Sequence, residues 1–264
     1  MRSDLDVIVK RYPHDQEVLR IYAIGDVHVG SREFNERVIK EKIKRIKDDP
    51  CSAVVLCGDL GDYGLKNSKT NVYEATMQPK QQQNYIYELF LPIKDRIIAA
   101  VPGNHEYRIT REVGTCPLYY LCVRWDKEEV YRENVAIIKV LFGNQRGKKQ
   151  QVSFIGVVTH GTTKNKTHRH LMCYDSVDFG IYGHCHQPSY NSLGRIRVSS
   201  HGKATHVPYK EIVVDANLDP GGYGLKNNYE IPSTPELQYL ELSYYFTGNN
   251  RDLARVMDYH SIQI

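Results

Sequence analysis

The sequence predicts an α/β protein in which two β-sheets pack face to face with helices outside them. In its first half, short apolar runs that end at glycine alternate with stretches whose apolar residues form one helical stripe. From Val135 onward, apolar runs are joined by polar turns, as consecutive strands usually are. A βαβα half followed by a mostly β half suits a sandwich of two sheets.

The first half contains three predicted strands and three predicted helices. Residues 19–24, 53–57 and 97–101 are short, apolar and rich in β-branched residues, which indicates buried strands. Residues 32–48 carry an apolar stripe and predict a helix with Ser31 as its N-cap. A second helix is predicted within residues 81–95, where Pro92 disturbs the last turn, and a third over residues 117–125.

The second half is predicted to be mainly strands. Residues 135–142 and 151–158 flank a polar turn, and further strands are predicted at 179–182, 195–199, 211–214 and 237–246. Residues 216–235 are rich in Gly, Pro and Asn and predict a long loop. We expect one domain over residues 1–264, with the ligand-bearing segments in 25–187 and a β-rich C-terminal part that completes the sandwich.

Composition excludes several classes of protein. The formal charge of +4 is too small to indicate nucleic-acid binding by itself. No run approaches the roughly 18 apolar residues that span a membrane, and the first ten residues are too polar for a signal peptide. We therefore expect a cytoplasmic location without a membrane partner. Six cysteines form no C-x-x-C pair, so most are predicted to be buried thiols.

Metal-ligand side chains stand beside glycines in five segments, each after a predicted strand. The segments are Gly-Asp26-Val-His28, Gly-Asp59-Leu-Gly-Asp62, Gly-Asn104-His105-Glu106, Thr-His160-Gly and Gly-His184-Cys-His186. Ligands at strand ends can be distant in sequence and still converge at one edge of a sheet. The pattern therefore predicts a two-metal site.

Together these segments resemble the calcineurin-like metallophosphoesterases. That family has D-x-H, G-D, G-N-H-[DE], a lone H before Gly or Ala, and G-H-x-H, and all five occur here in that order between Asp26 and His186. One block alone often arises by chance, whereas five in order are specific. The resemblance implies a four-layer α/β/β/α sandwich of two mixed β-sheets flanked by helices, and an enzyme that hydrolyses phosphate esters.

The resemblance also implies a role for each side chain. The first ion would be bound by Asp26, His28 and His186, the second by Asn104, His160 and His184, with Asp59 bridging them. Oxygen and imidazole ligands suit manganese, the metal we expect, with iron or zinc as alternatives. Two such ions supply a bridging hydroxide near neutral pH, and His105 would protonate the leaving group.

Three nearby positions have other interpretations. Asp62 is expected to stabilise the loop or a neighbouring His rather than bind metal. Cys185 alternates with two ligands, so its side chain should point away from the metals. His168 and His170 form a second H-x-H, but no strand or glycine turn precedes them, which favours a solvated loop.

The surrounding residues mix the features of two subfamilies. Arg108, in G-N-H-E-x-R, is similar to the phosphate-gripping arginine of protein Ser/Thr phosphatases, but Tyr63 stands where those enzymes have a second arginine. The first segment, D-x-H-V-G, is similar to Mre11-like nucleases, which usually have Asp at the position of Glu106. Small bacterial and phage phosphoesterases are expected to share this mixture.

Two basic segments are relevant to the choice of substrate. Residues 146–149 lie in a predicted hairpin turn, where solvation is the favoured interpretation. Lys164, Lys166 and Arg169 closely follow His160 and are predicted to bind substrate at the site mouth. We therefore favour phosphodiesters of nucleotides or nucleic acid. The alternatives are a phosphomonoesterase or protein Ser/Thr phosphatase, and a non-catalytic scaffold with this fold. The sequence does not predict an oligomeric state.

Overall fold

A computed structural model describes residues 3–66, 68, 72–144, 151–161, 176–198, 200–221, 234–247 and 252–264. Its strands are β1 (Ile8–Arg11), β2 (Val18–Ile24), β3 (Ser52–Leu56), β4 (Ile97–Ala100), β5 (Val135–Phe142), β6 (Val152–Thr159), β7 (Phe179–Tyr182), β8 (Ser189–Val198), β9 (Ala204–Val213), β10 (Glu236–Thr247) and β11 (Asp252–Gln263). The described helices are α1 (Glu36–Asp48), α2 (Pro79–Phe90), α3 (Asn104–Val113) and α4 (Pro117–Arg124).

The strands form two mixed sheets. One has the order β11-β10-β2-β3-β4. In it β2, β3 and β4 are parallel, β10 runs antiparallel to β2, and β11 pairs antiparallel with β10. The other has the order β1-β5-β6-β7-β9-β8, in which β6, β7 and β9 are parallel. Two mixed sheets with flanking helices confirm the predicted fold class.

The alternation of side chains along β2 and β3 builds two layers of core. Leu19, Ile21 and Val55 face the other sheet and pack with residues such as Ile138 and Phe154. The opposite faces of the same strands pack against the helices, through the side chains Tyr22, Ile24, Val54 and Leu56 with Ile43, Phe90 and Leu121. Because both faces are buried, these strands are continuous apolar runs in the sequence.

The helix boundaries differ from the prediction at two places. Helix α1 begins at Glu36 because the Asn35 side chain accepts a 3.0 Å hydrogen bond from the Val38 N–H. The prediction of Ser31 as N-cap is therefore wrong. Helix α2 begins at Pro79 and ends at Phe90, and a 3-10 helix continues over Leu91–Arg96, since Pro92 has no N–H to extend the α-helix.

Among the described strands and α-helices, three were not predicted: α3, β1 and β11. The buried side chains of helix α3 are the polar His105 and Glu106, and its apolar residues are few, so no apolar stripe marks it in the sequence. It ends at Gly114, whose φ of 71° suits a left-handed C-cap. β1 and β11 are a short strand and an edge strand that lie outside the predicted runs.

The described helices all contribute to the core beside the five-stranded sheet. On the outer face of the six-stranded sheet, the described residues form a smaller cluster of Val157, Val177, Tyr182, Tyr209 and Val213. Residues 162–175, which follow β6, lie outside the described part, so a helical layer on that face stays a prediction. None of the described helices has the length and apolar character needed to cross a membrane.

Candidate metal centre

The seven predicted ligands meet at one edge of the sandwich. Asp26 and His28 follow β2, Asp59 follows β3, and Asn104 follows β4; these three strands are parallel. His160 follows β6, and the His184 and His186 segment follows the parallel strand β7. The carboxyl ends of both sets of strands therefore supply the site.

The first cluster consists of Asp26, His28 and His186. The two imidazole Nε2 atoms are 3.1 Å apart, and Asp26 Oδ1 lies 3.4 Å from His186 Nε2 and 3.9 Å from His28 Nε2. Asp26 Oδ1 is buried without a hydrogen-bond partner among the described residues. Such an orphaned buried carboxylate oxygen, facing two ring nitrogens, fits a bound cation.

The second cluster contains Asp59, Asn104, His160 and His184. His160 Nε2 lies 3.2 Å from Asp59 Oδ2 and 3.1 Å from Asn104 Oδ1. His184 Nδ1 lies 2.8 Å from the same Asn104 oxygen. Four polar atoms thus converge on one small volume, as the ligands of a single ion would.

Asp59 belongs to the surroundings of both clusters. Ligand atoms within 4.8 Å of one another group Asp59 with His160 and His184, and also with His28 and His105. The donors are imidazole, carboxylate and amide groups, which suit a divalent transition metal. Burial and Asp26 raise the pKa of the neighbouring Cys57 thiol well above its usual value, so that thiol is not a ready thiolate ligand.

The backbone is left-handed at five of the predicted ligands. Their φ angles are 49° at Asp26, 51° at His28, 52° at Asp59, 71° at His184 and 58° at His186. A non-glycine residue in this region costs on the order of 1 kcal/mol or more, and such residues cluster at functional sites. The loops therefore hold these side chains in a conformation that the unconstrained chain would avoid.

Neighbouring groups set the protonation of the imidazoles. His160 Nδ1 donates to the Cys57 carbonyl at 2.6 Å, which turns Nε2 toward the cluster. Burial lowers the pKa of His160, but Asp59 and Asp26 raise it overall to about 10. Burial, together with His105 and His186, holds the pKa of His28 well below its usual value. A cation would therefore meet a neutral His28 and displace a proton from His160.

His105 is oriented by the loop after β3. Its Nδ1 donates to the Asp62 carbonyl at 2.7 Å, so Nε2 faces the site, 3.8 Å from Asp59 Oδ2. Burial lowers the pKa of His105, but Asp59 and Asp62 outweigh this and raise it above its usual value. The Arg108 guanidinium lies against the ring, with one nitrogen 3.0 Å from Nε2.

Tyr63 and Cys185 face away from this site. Tyr63 is 1% exposed, and its hydroxyl donates to Gln83 Oε1 at 2.9 Å. It is thus a core residue and does not replace the arginine found there in protein phosphatases. Cys185 packs against the cluster on the outer face of the six-stranded sheet.

Two residues of the site were missed by sequence reasoning. The Glu106 carboxylate accepts backbone N–H groups of two ligand loops, while burial and the Asp59 charge raise its pKa. Its position in the first turn of a helix after Gly-Asn was the available signal. Asn217 donates to the Gly25 carbonyl at 3.1 Å and supports the loop of Asp26. It lies in the predicted long loop, where the sequence carries no signal of this contact.

Several predicted residues lie outside the described part of the chain. They are the substrate-binding Lys164, Lys166 and Arg169, the His168 and His170 pair, and the basic turn at residues 146–149.

Comparison with known proteins places this site in a family. A family model described as calcineurin-like phosphoesterase matches residues 19–188, well over half of the chain. The chain belongs to the calcineurin-like phosphoesterases. Members of this family are typically metal-dependent hydrolases of phosphate esters, and the clusters of this calcineurin-like phosphoesterase could bind metal. Among curated proteins, no sequence matches it.

Similar solved structures include three proteins of low sequence identity. Vps29 of Chaetomium thermophilum is 9% identical, with 93% of this chain and 98% of that chain covered and a TM-score of 0.39. The NAD nucleotidase NadN of Haemophilus influenzae is 12% identical, with 93% and 50% covered and a TM-score of 0.41. GAP50, described as the anchor in the inner membrane complex of Plasmodium, is 11% identical, with 94% and 90% covered and a TM-score of 0.49. This phosphoesterase thus spans half of the NadN chain.

Proposed function

We propose that this protein is a binuclear metal-dependent phosphoesterase. The observation that carries the proposal is the position of Asp59, whose carboxylate is grouped with His160 and His184 of the second cluster and with His28 of the first. When bound, two divalent ions supply an activated water near neutral pH and neutralise charge on the phosphoryl oxygens. Asp26, His28 and His186 would hold one ion, Asn104, His160 and His184 the other, and Asp59 both.

The chain's own groups then serve the leaving group and the phosphate. His105 is held by Asp62 with Nε2 toward the site, where it can give a proton to the departing oxygen. Arg108 contacts that same nitrogen. A substrate phosphate would draw the guanidinium away, since planar bidentate pairing with phosphate oxygens is a strong arrangement. His105 Nε2 would then be free to carry its proton.

The substrates we favour are phosphodiesters of nucleotides or nucleic acid. Lys164, Lys166 and Arg169 follow His160 in sequence and would contact phosphates next to the scissile one. The alternative is a phosphomonoesterase or protein Ser/Thr phosphatase, which the position of Arg108 beside His105 favours. A non-catalytic scaffold of this fold is the second alternative. A scaffold would not require the hydrogen bond between His105 Nδ1 and the Asp62 carbonyl.

The test compares wild type with Asp59→Asn, using Asp126→Asn as a matched control. Asp126 is exposed and has a left-handed φ of 59°, so the control repeats the same change in the same backbone conformation. Each protein is loaded with manganese, its metal content is measured, and its turnover of bis(p-nitrophenyl) phosphate and p-nitrophenyl phosphate is followed.

We expect Asp59→Asn to lose bound manganese and to lower turnover by more than about 100-fold, because even residues that only orient ligands cost 10- to 100-fold. Asp126→Asn should match wild type. Preference for the diester supports the nucleotide or nucleic-acid substrate, and preference for the monoester supports the phosphatase. A wild-type protein that binds manganese but turns over neither ester would favour the scaffold.

A further inference from the structure

Glu106 is a buried carboxylate that binds backbone rather than side chains. It lies in the first turn of α3 and is 1% exposed. Its Oε2 accepts the N–H groups of Asp59 and Gly103, both at 2.8 Å. Its Oε1 accepts the N–H of Leu60 at 2.8 Å and, less closely, that of Gly61 at 3.5 Å. Both carboxylate oxygens are therefore occupied as acceptors.

These N–H groups belong to the two loops that carry Asp59 and Asn104. The loops touch at their backbones: a Cβ on Gly58 would lie 2.3 Å from the Gly103 nitrogen. A Cβ on Gly103 would lie 2.1 Å from Asp59 Oδ1. Because the two loops lie this close, their N–H groups point to the same side. The single side chain of Glu106 accepts hydrogen bonds from both loops.

The loop of Asp59 is in turn bonded to the loop of Asp26 and His28. The N–H groups of Val27 and His28 both donate to the Asp59 carbonyl, at 2.9 and 3.0 Å. The N–H of Asp26 donates to the Gly58 carbonyl at 3.0 Å. Continuous hydrogen bonds thus run from Glu106 to the backbone of ligands in both clusters.

We propose that Glu106 is a positioning residue that fixes the spacing of the two metal clusters by tying three ligand loops to the start of α3. The proposal rests on the binuclear site proposed above. A carboxylate is the group required because every contact is a backbone N–H donor, and an ionised carboxylate offers acceptors only. In Glu106→Gln, the amide NH2 would face backbone N–H donors on one side. In Glu106→Asp, the charge stays but the side chain is one methylene too short to reach both loops.

The experiment measures manganese affinity by calorimetry and the spin coupling between two Mn(II) ions by electron paramagnetic resonance. Glu106→Gln and Glu106→Asp are compared with wild type and with Glu112→Gln, an exposed glutamate on the same helix. We expect both Glu106 variants to bind manganese about 10- to 100-fold more weakly and to lose the coupled signal. Glu112→Gln should retain both, and thermal unfolding of each metal-free variant checks that it is folded.

Wild-type affinity and coupling in Glu106→Gln would overturn the proposal. So would wild-type behaviour of Glu106→Asp, because the charge alone would then be sufficient. A wild-type protein that binds no manganese would instead refute the proposed function. Should the variants not fold, amide hydrogen exchange on wild type decides: the N–H groups of Asp59, Leu60 and Gly103 should be strongly protected, and exchange at unprotected rates would refute the tether.

Discussion

At the scale of single residues, His105 is held in one orientation by the loop that carries the shared carboxylate. Its own N–H donates to Asp59 Oδ1 at 2.7 Å, and its Nδ1 donates to the Asp62 carbonyl. We expect His105→Gln to lower kcat on the preferred p-nitrophenyl ester by about 10²- to 10⁴-fold, the usual contribution of general acid catalysis. The bound manganese should be unchanged, because Asn104 and Asp59 remain. Steady-state kinetics and metal analysis of the same sample test this.

The matched control is His201→Gln, since His201 is exposed on the turn between β8 and β9. It should keep wild-type turnover. If His105→Gln loses its manganese, or turns over the ester at the wild-type rate, His105 is not the proton donor.

The sequence was sufficient to predict which residues would converge, because each follows a strand and strands of one direction end at the same edge. It could not predict their supports. Glu106 contacts N–H groups up to 47 positions away, and backbone donors leave no mark in a sequence. Tyr63 was compared with a phosphate-binding arginine, although its ring is buried beside Gln83. Only packing distinguishes a core tyrosine from one at a site.

At the scale of elements, a buried ion pair connects α1 to the segment after β9. Lys42 Nζ lies 3.3 Å from Asp215 Oδ2, and both side chains are almost wholly buried. Burial lowers the pKa of Lys42, and burial raises the pKa of Asp215 despite the lysine. We expect Lys42→Met to lower the free energy of unfolding by about 3 to 5 kcal/mol at neutral pH, since it leaves a buried charge without its partner. Urea unfolding measures this.

The free energy of unfolding that Lys42→Met loses should depend on pH in one direction. A carboxyl whose folded pKa is raised contributes stability that is present at low pH and lost as the pH rises through that pKa. Without Lys42, Asp215 becomes easier to protonate, so the deficit of Lys42→Met should shrink as the pH falls below neutral. Lys44→Met, an exposed change on the same helix, should show no such dependence. A deficit that is constant with pH would mean that lost packing, not charge, is responsible.

The basic segment after β6 is a second element with a testable role. Reversing Lys164, Lys166 and Arg169 to Glu should weaken binding of a single-stranded oligonucleotide regardless of its sequence, and the slope of affinity against salt should become shallower. Fluorescence anisotropy across a salt series measures both, with Lys44→Glu on α1 as the control. Salt-independent binding by wild type would count against a nucleic-acid substrate.

The elements that the sequence revealed are those whose burial is strongly patterned. Strands β2 to β7 are apolar runs that end at glycine or a turn, and their positions were predicted within a few residues. Helix α3 was not, because the ligand motif occupies its first turn and charged residues follow. The start of α1 was misplaced because Asn35 and Ser31 are both good N-caps, and only the accepted Val38 N–H decides between them.

At the scale of the whole molecule, metal binding should stabilise the fold. The strained backbone at five predicted ligands and the orphaned Asp26 oxygen are features that a bound cation would compensate. At a concentration 100 times its dissociation constant, a ligand adds about 2.7 kcal/mol to the free energy of unfolding. We expect manganese to raise the Tm of this protein by roughly 5 to 10 °C and a chelator to reverse the rise. Differential scanning fluorimetry follows both.

Asp59→Asn should lose most of this rise, and Asp126→Asn should keep it. A Tm that is indifferent to manganese in the wild type would show that the clusters do not bind this ion in the folded state.

Because both sheets supply metal ligands, the order of synthesis determines when the complete ligand set is present. His28 and His186 face each other across 158 positions, and β10, near the C-terminal end of the chain, inserts beside β2. Contacts so distant in sequence form late, because closing a long loop costs conformational entropy before these contacts can offset that cost. A nascent chain that has emerged only as far as α3 would hold Asp26, His28, Asp59 and Asn104 but none of the imidazoles from the second sheet. We therefore expect metal to be acquired after the two sheets have docked, so that loading itself reports a completed fold.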